Sequence, residues 1–353
     1  MNIAFVWTAF TSYMADCWRE LSQRDGVRLK IWVCSHRGGV HRDGRSLMEG
    51  LSYESYTQEE VVGATLSKIE SNLVKFSPDI VFICGWSSRL SRVAAESSCL
   101  RNTKKVLCCD MPWEWRFRKF AARFLLSRYL NRFDKIFVPG KRAWRYARWL
   151  GFGKSKIFTK EYCINQRQFR RIQLDVDFSS RGFVFVGRLV NEKNVSMLAR
   201  AYNRYSKIVA APLPLDIYGV GYAADHFKGI KGVSLHGYAN PDELSQIYNK
   251  AKALVLPSRW EPWGQVVAEA MFCGCPVICS DKCGVSDIVS EGGIVVSHIS
   301  EVSLACAFEK MHDIDEANWK RMSNSALNEV SEYNVVRWAD IVLCESKAIL
   351  CGE

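Results

Sequence analysis

Two carboxylates eight positions apart, Glu261 and Glu269, occupy the setting in this sequence that most favours chemistry. They lie in the stretch 254–284, where an apolar run, a loop, a segment of helical period and a second apolar run follow one another. That order predicts a βαβ unit of a parallel sheet. The short loop before the helix directs backbone N–H groups beyond the strand end, which suits an anion. Two acids beside such a loop predict a ligand with both phosphate and hydroxyl groups.

Two cations precede this unit at the end of another predicted strand. Gly187 ends that strand, at the edge where open α/β sheets bind ligands, and Arg188 and Lys193 follow it. The guanidinium could bind a diphosphate through two parallel hydrogen bonds, and the ammonium could act as a point charge. Taken alone, the two residues are equally compatible with a solvated surface, so the prediction depends on the other motifs.

Glycines mark two further transitions from strand to loop. Gly219 and Gly221 follow the predicted strand 215–218, and Gly237 stands before Tyr238 at the end of another strand. Because glycine has no side chain, each position permits the close backbone approach that a nucleotide needs. A plain turn is the alternative for so short a motif.

The alternation of strand and helix runs through the chain twice. Short apolar strands separated by helical segments fill residues 1–163 and again 182–334. This pattern predicts an α/β fold of two doubly wound, Rossmann-like domains facing a cleft. Residues 164–181 interrupt the pattern and are interpreted as a linker, and the C-terminal helix at 335–353 could cross back to the first domain. Within this pattern, residues 36–56 are predicted to form a long functional loop, and residues 285–290 a short helix.

Length and composition agree with two globular domains. The chain has 353 residues, of which 48% are apolar and 24% charged. Domains of about 150 residues are usual. No apolar run reaches the roughly 18 residues that a membrane-spanning helix needs. The first residues predict a strand rather than a signal peptide, so we expect a cytoplasmic protein with reduced thiols.

Metal binding is the less favoured interpretation of two side-chain clusters. One is a set of four cysteines, Cys273, Cys275, Cys279 and Cys283. Their spacing is not a standard zinc spacing, which favours small core residues. The other is Asp175 with Asp177, a D-x-D pattern that other sugar-transferring enzymes use to hold a divalent metal. An Asp-rich connection is favoured, because nothing nearby supplies further ligands. We therefore expect no metal site.

Five motifs of the second half occur together, and this set resembles the retaining glycosyltransferases of family four. They are GRL…EKN, DIYGVG, LHGYANPDEL, LVLPSRWEPWGQVVAEAMFCGCPVI and GVSDIVSEGG, within residues 181–297. The resemblance implies the GT-B fold of two Rossmann-like domains. It also implies a nucleotide-sugar donor carrying UDP or GDP, and chemistry that needs neither a metal ion nor a cofactor.

The same resemblance assigns roles by position. Glu269 would hold the ribose hydroxyls, and Glu261 would contact the donor sugar. Arg188 and Lys193 would stabilise the departing diphosphate. Trp263, Gly264 and Gln265 would contact sugar and phosphate through their backbone, with Gly187, Gly219, Gly237 and Tyr238 completing the donor site. These roles agree with a transition state that places negative charge on the diphosphate and positive character on the sugar.

The first half resembles the family less closely. Many members have a histidine at the cleft after the fourth or fifth strand, where this chain has Asp110. Asp110 either replaces that catalytic group or caps the following segment. Hydroxyl and aromatic side chains at strand ends are the candidates for holding a sugar acceptor: Thr8, Phe10, Trp86 and Trp113.

Much of the net charge of +11 lies in residues 113–149, where eleven Lys or Arg residues face only Glu114 and Asp134, a local net of +9. Aromatic and basic residues alternate there with helical spacing, which predicts an amphipathic stretch suited to anionic lipid. A core-facing helix with a solvated face is the alternative. Nucleic acid is a further one, which the sugar-nucleotide motifs disfavour. Lipid binding would place the protein on the inner face of the cell membrane.

Together these features predict a retaining glycosyltransferase. It would move a sugar from a nucleotide-sugar donor to a glycan or lipid-linked glycan acceptor in polysaccharide or lipopolysaccharide assembly. The competing hypothesis is a catalytically inactive GT-B scaffold that serves as a binding or adaptor module at the membrane, because the expected histidine is missing. An NAD-linked enzyme would carry G-x-G-x-x-G after the first strand, where this chain has WTAFTSY.

Overall fold

The computed structural model describes residues 1–35, 46–113, 117–174 and 176–352, and all of their side chains except those of 117–119. The chain divides into two compact units, Met1–Cys163 with Asn334–Glu353, and Ile164–Tyr333. Each unit holds one fully parallel sheet flanked by helices, which confirms the predicted α/β class. Residues 36–45 of the predicted functional loop, and Asp175 of the D-x-D pattern, lie outside the described residues.

The first unit contains a seven-stranded sheet in the order β3-β2-β1-β4-β5-β6-β7. Its strands are β1 (Asn2–Trp7), β2 (Arg28–Ser35), β3 (Tyr53–Thr57), β4 (Ile80–Cys84), β5 (Lys104–Cys108), β6 (Lys135–Val138) and β7 (Ile157–Thr159). The central strands are continuous apolar runs because both faces of a parallel sheet are covered. In β1, residues Ile3 to Val6 are fully buried, with alternate side chains in the core clusters on the two faces.

Helices cover both faces of this sheet. They are α1 (Ser12–Ser22), α2 (Gly63–Phe76), α3 (Arg89–Glu96), α4 (Phe117–Leu125), α5 (Ser127–Leu130), α6 (Lys141–Leu150) and the C-terminal α12 (Val335–Cys351). Helix α12 packs against α1, and the Trp338 indole lies 5.9 Å from the Phe5 ring. Its Nε1 donates a hydrogen bond of 3.0 Å to the carbonyl of Glu161. The C-terminal helix therefore belongs to the core of the first unit.

The second unit contains a six-stranded sheet in the order β10-β9-β8-β11-β12-β13. Its strands are β8 (Phe183–Val186), β9 (Leu215–Tyr218), β10 (Val233–Gly237), β11 (Ala253–Leu256), β12 (Val277–Ser280) and β13 (Gly293–Val296). Its helices are α7 (Val195–Ile208), α8 (Pro241–Lys250), α9 (Gln265–Phe272), α10 (Glu301–Asp313) and α11 (Glu316–Val330). Because all strands run in one direction, the loops after β8, β9, β10 and β11 gather at one edge of the sheet.

Two local predictions are wrong. Residues 53–57 of the predicted loop form β3, an edge strand parallel to β2, because Tyr and Thr side chains favour an extended chain even where the sequence is polar. The predicted helix at 285–290 is a 3₁₀ turn at Gly284–Asp287. The Val285 N–H there donates to the carbonyl of Trp263 at 2.8 Å, so the backbone bonds to a neighbouring loop instead of winding into a helix.

Residues 164–181, interpreted as a linker, pack on the second unit where they are described. The Ile172 N–H donates to Asn249 Oδ1 at 2.9 Å, and the Arg181 guanidinium lies 4.6 Å from the centre of the Trp319 ring. Asp177 caps the 3₁₀ turn Phe178–Ser180 by accepting from the Ser179 N–H. Within the described residues, no helix combines the length and apolarity needed to cross a bilayer.

Candidate functional site

The loops after β8 and β11 are joined by an ion pair between the two predicted catalytic residues of opposite charge. The Lys193 ammonium contacts Glu261 Oε2, and both side chains are mostly buried, with 17% and 13% of their surfaces exposed. Ser258 Oγ donates to the same carboxylate oxygen at 3.3 Å. The structure thus brings Lys193 and Glu261 together, at the edge of the sheet where the sequence predicted a ligand.

The loop that carries Glu261 leads directly into helix α9. Gly264 lies just before the helix with φ of 102°, a left-handed conformation that glycine adopts without strain. A side chain there would also crowd Val285, whose Cγ1 would stand 3.2 Å from an added Cβ. Trp263 is 2% exposed and packs against Tyr333 with ring centroids 5.2 Å apart. The N-terminus of α9 at Gln265 is therefore held next to Glu261, where its positive dipole end suits a diphosphate.

Glu269 lies on α9 but faces a different neighbour. Its Oε2 accepts a hydrogen bond of 3.3 Å from the hydroxyl of Tyr248, which is fully buried on α8. Burial raises the pKa of Glu269 to about 7, and the Tyr248 hydroxyl acts in the opposite direction. The two acids of the motif therefore occupy separate environments, one paired with a cation and one beside a phenol.

Arg188 extends from the loop after β8 as an exposed side chain. Within the described part of the chain, its guanidinium forms no ion pair. Arg259 fixes the backbone near Arg188 through two hydrogen bonds. Its Nε donates to Asn194 Oδ1 at 2.9 Å, and its backbone N–H donates to the carbonyl of Glu192 at 2.9 Å. Arg188 is thus a solvated cation on a loop whose position is fixed by other residues.

Gly219, a predicted donor-site residue, and the nearby Gly221 make close contacts within the protein. A Cβ at Gly219 would stand 1.9 Å from the carbonyl oxygen of Gly187, and one at Gly221 would stand 2.2 Å from that of Leu189. At these positions the group that approaches the glycine closely is therefore the backbone of the loop after β8, and no open space for a ligand lies there. Gly237 differs, since nothing lies within 4 Å of an added Cβ and its φ of 75° is its only constraint.

Tyr238 lines a groove of about 600 Å³ in the second unit. The groove is also lined by Tyr218, His236 and Asp216, and it includes neither Glu261 nor Glu269. His236 Nε2 and Asp216 Oδ1 are 2.7 Å apart, and the Tyr218 ring stacks on the imidazole at 4.6 Å. Tyr238 thus shares a groove with His236 and Asp216, and its role in binding the donor stays a prediction.

The four clustered cysteines are core residues. Cys273, Cys275, Cys279 and Cys283 are all buried. Burial raises the pKa of the Cys273 and Cys283 thiols to about 12, which disfavours the thiolate that a metal needs. Among the described residues, no group of three or more His, Cys, Asp or Glu side chains is arranged to hold a metal ion.

In the first unit, Asp110 lies just beyond β5 at the carboxyl edge of the sheet, as predicted for an acceptor-side group. Its Oδ2 accepts a hydrogen bond of 2.9 Å from the Tyr162 hydroxyl. The Tyr162 ring stacks on Tyr13 with centroids 5.0 Å apart. Both tyrosines are half-buried. Asp110 therefore belongs to a cluster with two phenols, neither of which the sequence pattern indicated.

The four predicted acceptor residues follow three different strands, β1, β4 and β5. Thr8 Oγ1 lies 3.5 Å from the sulfur of Cys84, near the centre of the sheet edge. Phe10 packs edge-on against Tyr53, and Trp113 packs against Trp149 at 5.1 Å. The fourth, Trp86, packs on the core on the α6 side of the sheet. These aromatic side chains thus lie along the sheet edge, where each packs against other residues and keeps part of its surface exposed.

Glu161, a buried acid two residues beyond β7, was not predicted from the sequence. Only 4% of its surface is exposed, and among the described residues its Oε2 has no hydrogen-bond partner. Burial, and then the charge of Asp110, raise the pKa of Glu161 well above its ordinary value. The available signal was an acidic residue shortly after a short strand, at the edge where ligands bind.

Comparison with known proteins identifies similar sequences and a similar fold. Residues 167–326 match the model of the family described as glycosyl transferases group 1. An uncharacterized glycosyltransferase of Methanocaldococcus jannaschii is 34% identical over 128 residues, which is 34% of this chain and 32% of that protein. O-antigen chain mannosyltransferase B of Escherichia coli is 25% identical over 150 residues, or 40% of this chain and 39% of that protein. The matches thus span only 32% and 39% of these two relatives' lengths.

A solved structure extends the comparison to both units. The Anabaena protein HepE, in a crystal structure with UDP-glucose, superimposes with a TM-score of 0.77 at 15% identity, covering 99% of this chain and all of that one. At this level of identity the likeness concerns the fold. The chain therefore has the GT-B fold of glycosyltransferases, and its residues 167–326 carry the sequence pattern of glycosyl transferases group 1.

Proposed function

We propose that this protein is a retaining glycosyltransferase that moves a sugar from a nucleotide-sugar donor, preferably a UDP-sugar, to a glycan or lipid-linked glycan acceptor. The observation that carries the proposal is the Lys193–Glu261 pair beside the N-terminus of α9. It places a cation, a carboxylate and a helix dipole within one group of loops. The group 1 match and the UDP-glucose complex of HepE support the choice of donor.

The proposed donor site divides the substrate among these groups. The exposed guanidinium of Arg188 and the ammonium of Lys193 would bind the diphosphate, together with the N-terminus of α9. Once a phosphate oxygen pairs with Lys193, the Glu261 carboxylate is released toward the sugar. Glu269, in its separate position on α9, would accept hydrogen bonds from the ribose hydroxyls.

The transfer itself uses the charges that these groups fix. As the bond between the anomeric carbon and the diphosphate breaks, negative charge grows on the leaving oxygen and positive character on the sugar ring. Preorganised cations stabilise the first charge and Glu261 stabilises the second. The acceptor hydroxyl would attack from the face that the diphosphate leaves, and its proton would pass to the leaving phosphate oxygen. Configuration is then retained, and no metal or cofactor is required.

The basic segment of the first unit supports a membrane surface as a partner. At the end of α4, 64% of Phe124 and 80% of Leu125 are exposed. Arg123 and Arg128, on either side of them, are exposed as well. Apolar side chains that can enter a bilayer, flanked by cations, suit an anionic lipid surface. We therefore include peripheral attachment to an anionic membrane, where a lipid-linked acceptor would reside.

Turnover of a sugar nucleotide tests this function. The purified chain is incubated with UDP-glucose, UDP-galactose or GDP-mannose, and release of the nucleoside diphosphate is followed with water or an added lipid-linked glycan extract as acceptor. We expect one donor to be consumed, and the reaction to be lost in Glu261→Ala. The matched control is Glu316→Ala, an exposed acid on α11. Absence of turnover with every donor and extract would favour the inactive adaptor instead.

A further inference from the structure

Five side chains meet at the carboxyl ends of β1, β4, β5 and β7 in the first unit, and we call them the acid–tyrosine cluster: Tyr13, Cys84, Asp110, Glu161 and Tyr162. The Tyr162 hydroxyl bonds to Asp110 at 2.9 Å, and the two phenol rings stack. Asp110 and both tyrosines are half-buried, so they reach the surface, while Glu161 lies beneath them. The carboxyl edge of a parallel sheet is where such folds bind ligands.

The position of Glu161 is fixed from both sides. Its N–H donates to the carbonyl of Val138 at 3.3 Å, and its carbonyl accepts from Trp338 Nε1 at 3.0 Å. The carboxyl group is thus held inside the unit, where its Oε2 has no partner among the described residues. A buried, unpartnered carboxylate oxygen is costly, so the group either carries a proton or waits for a ligand.

The neighbours of Glu161 decide between these states. The titratable groups that face it from the surrounding elements are Tyr13, Cys84, Cys108, Cys109, Asp110 and Tyr162. None of them is a cation, and no metal-binding group is present in the described residues. Burial, followed by the charge of Asp110, raises the pKa of Glu161 well above its ordinary value. The surroundings of Glu161 therefore favour its neutral form, and Asp110 is the carboxyl group of the pair that reaches the surface.

We infer that the acid–tyrosine cluster is the subsite for the acceptor sugar and that it selects a neutral sugar over a phosphorylated or uronic one. Asp110 accepts hydrogen bonds from the sugar hydroxyls, and the phenol rings contact the face of the ring. Glu161 acts as a positioning residue, which keeps the carboxyl pair at a single negative charge. An anionic sugar would meet the Asp110 carboxylate at close range and be repelled. This inference rests on the proposed transferase function, since it names the class of its acceptor.

Ligand-detected NMR on the full-length chain tests the selectivity with four defined probes. Methyl β-D-glucopyranoside and methyl β-D-galactopyranoside are neutral, and glucose 6-phosphate and methyl β-D-glucuronide are anionic. We expect the neutral glycosides to bind at least about tenfold more tightly, and Asp110→Asn to weaken them by about tenfold. Equal or tighter binding of the anionic sugars, no effect of Asp110→Asn, or no binding of any probe would overturn the inference.

Binding of UDP, measured on the same samples, separates this inference from the function on which it rests. If UDP binds but the sugars give one of the contradicting results above, the subsite assignment is wrong and the proposed donor site is supported. If UDP and UDP-sugars do not bind, the proposed function fails, whatever the glycosides do.

The role of Glu161 has its own readouts. Infrared difference spectra between wild type and Glu161→Gln should show the carbonyl stretch of a protonated acid at neutral pH. Glycoside binding to the wild type should weaken as alkaline pH ionises Glu161, whereas Glu161→Gln should bind with the same affinity across that range. Glu96→Gln, an exposed acid on α3, is the matched control. A missing acid band, or a Glu161→Gln variant whose affinity declines with rising pH as the wild type's does, would contradict the positioning role.

Discussion

Lys193 and Glu261 form a mostly buried ion pair that ties the loop after β8 to the loop after β11. Each residue was assigned to a different part of the donor, yet without donor they neutralise each other. The pair therefore keeps both loops in place, and the diphosphate must compete with Glu261 for the ammonium. Binding of the donor and release of the Glu261 carboxylate are thereby coupled.

Substitution of the two partners should shift donor affinity in opposite directions. Lys193→Ala should weaken UDP binding by about tenfold or more, because a charge-assisted contact to phosphate is lost. Glu261→Gln should leave UDP affinity unchanged or raise it a few-fold, because the ammonium loses its competing partner, while turnover falls. Calorimetric titration with UDP measures both. Equal weakening in both variants would contradict the coupling.

The same pair should contribute to stability. Removal of either partner alone should lower the free energy of unfolding by about 1–3 kcal/mol, because the remaining charge is left mostly buried. The control is the exposed pair Asp225 and Lys228, where each single substitution should cost less than about 1 kcal/mol. Urea unfolding of both sets decides this, and equal costs in the two pairs would show that burial of the Lys193–Glu261 pair has no energetic weight.

Gly219→Ala should be far more disruptive than Gly237→Ala. The first places a Cβ 1.9 Å from the Gly187 carbonyl oxygen, whereas the second meets nothing within 4 Å and strains only its φ of 75°. We expect a loss of roughly 3 kcal/mol or more for Gly219→Ala and about 1 kcal/mol for Gly237→Ala. Displacement of the loop after β8 should also weaken UDP binding in the first variant. Thermal or urea unfolding compares the two, and similar losses would refute the loop-to-loop contact.

Glu269 should give the protein a pH-dependent stability of a defined sign. Burial raises its pKa from 4.5 to about 7, so the folded chain holds this proton more tightly than the unfolded chain. The resulting stabilisation is complete below about pH 4.5 and is lost as the pH rises through 7, by up to about 3 kcal/mol. Glu269→Gln should flatten the decline between pH 5 and 8, and Glu316→Gln should not. An identical decline in wild type and Glu269→Gln would show that Glu269 has no such role.

Membrane attachment is predicted to depend on the end of α4. Replacing Phe124 and Leu125 together with Ser should reduce binding to phosphatidylglycerol vesicles by at least about tenfold, because two exposed apolar side chains no longer enter the bilayer. Leu350→Ser, at an exposed apolar residue of α12, is the control. Co-sedimentation measures binding, which added salt should weaken. Equal binding to phosphatidylcholine vesicles, or no effect of the double substitution, would argue against this surface.

Most strands of both sheets could be predicted because a parallel sheet buries both faces of its strands. Such strands appear as short apolar runs ended by polar or glycine residues, as in Phe183–Val186 and Ala253–Leu256. Strand β3 was missed because an edge strand is not buried on both sides, and Tyr53–Thr57 is accordingly polar. The turn at Gly284–Asp287 was mistaken for a helix because its backbone partner, the carbonyl of Trp263, is distant in sequence.

The candidate site was predictable where residues close in sequence share a loop, as Glu261 and Gly264 do. The Lys193–Glu261 pair was not, because 68 residues separate its members and only the order of the strands brings them together. Glu161 was overlooked for the same reason, since its neighbour Asp110 follows another strand. The glycine spacing indicated a close approach at Gly219, but only the folded chain shows that the approaching group is the Gly187 carbonyl.

The loops around Lys193, Glu261 and Glu269 are proposed to bind a nucleotide sugar. A thermal-shift series with UDP, GDP, ADP and their sugars measures this directly, since a ligand that binds only the folded state raises its melting temperature. One nucleotide family should stabilise the wild type, and the shift should be lost in Lys193→Ala and in Glu269→Ala. A panel without any shift, or shifts that persist in both variants, would contradict the account.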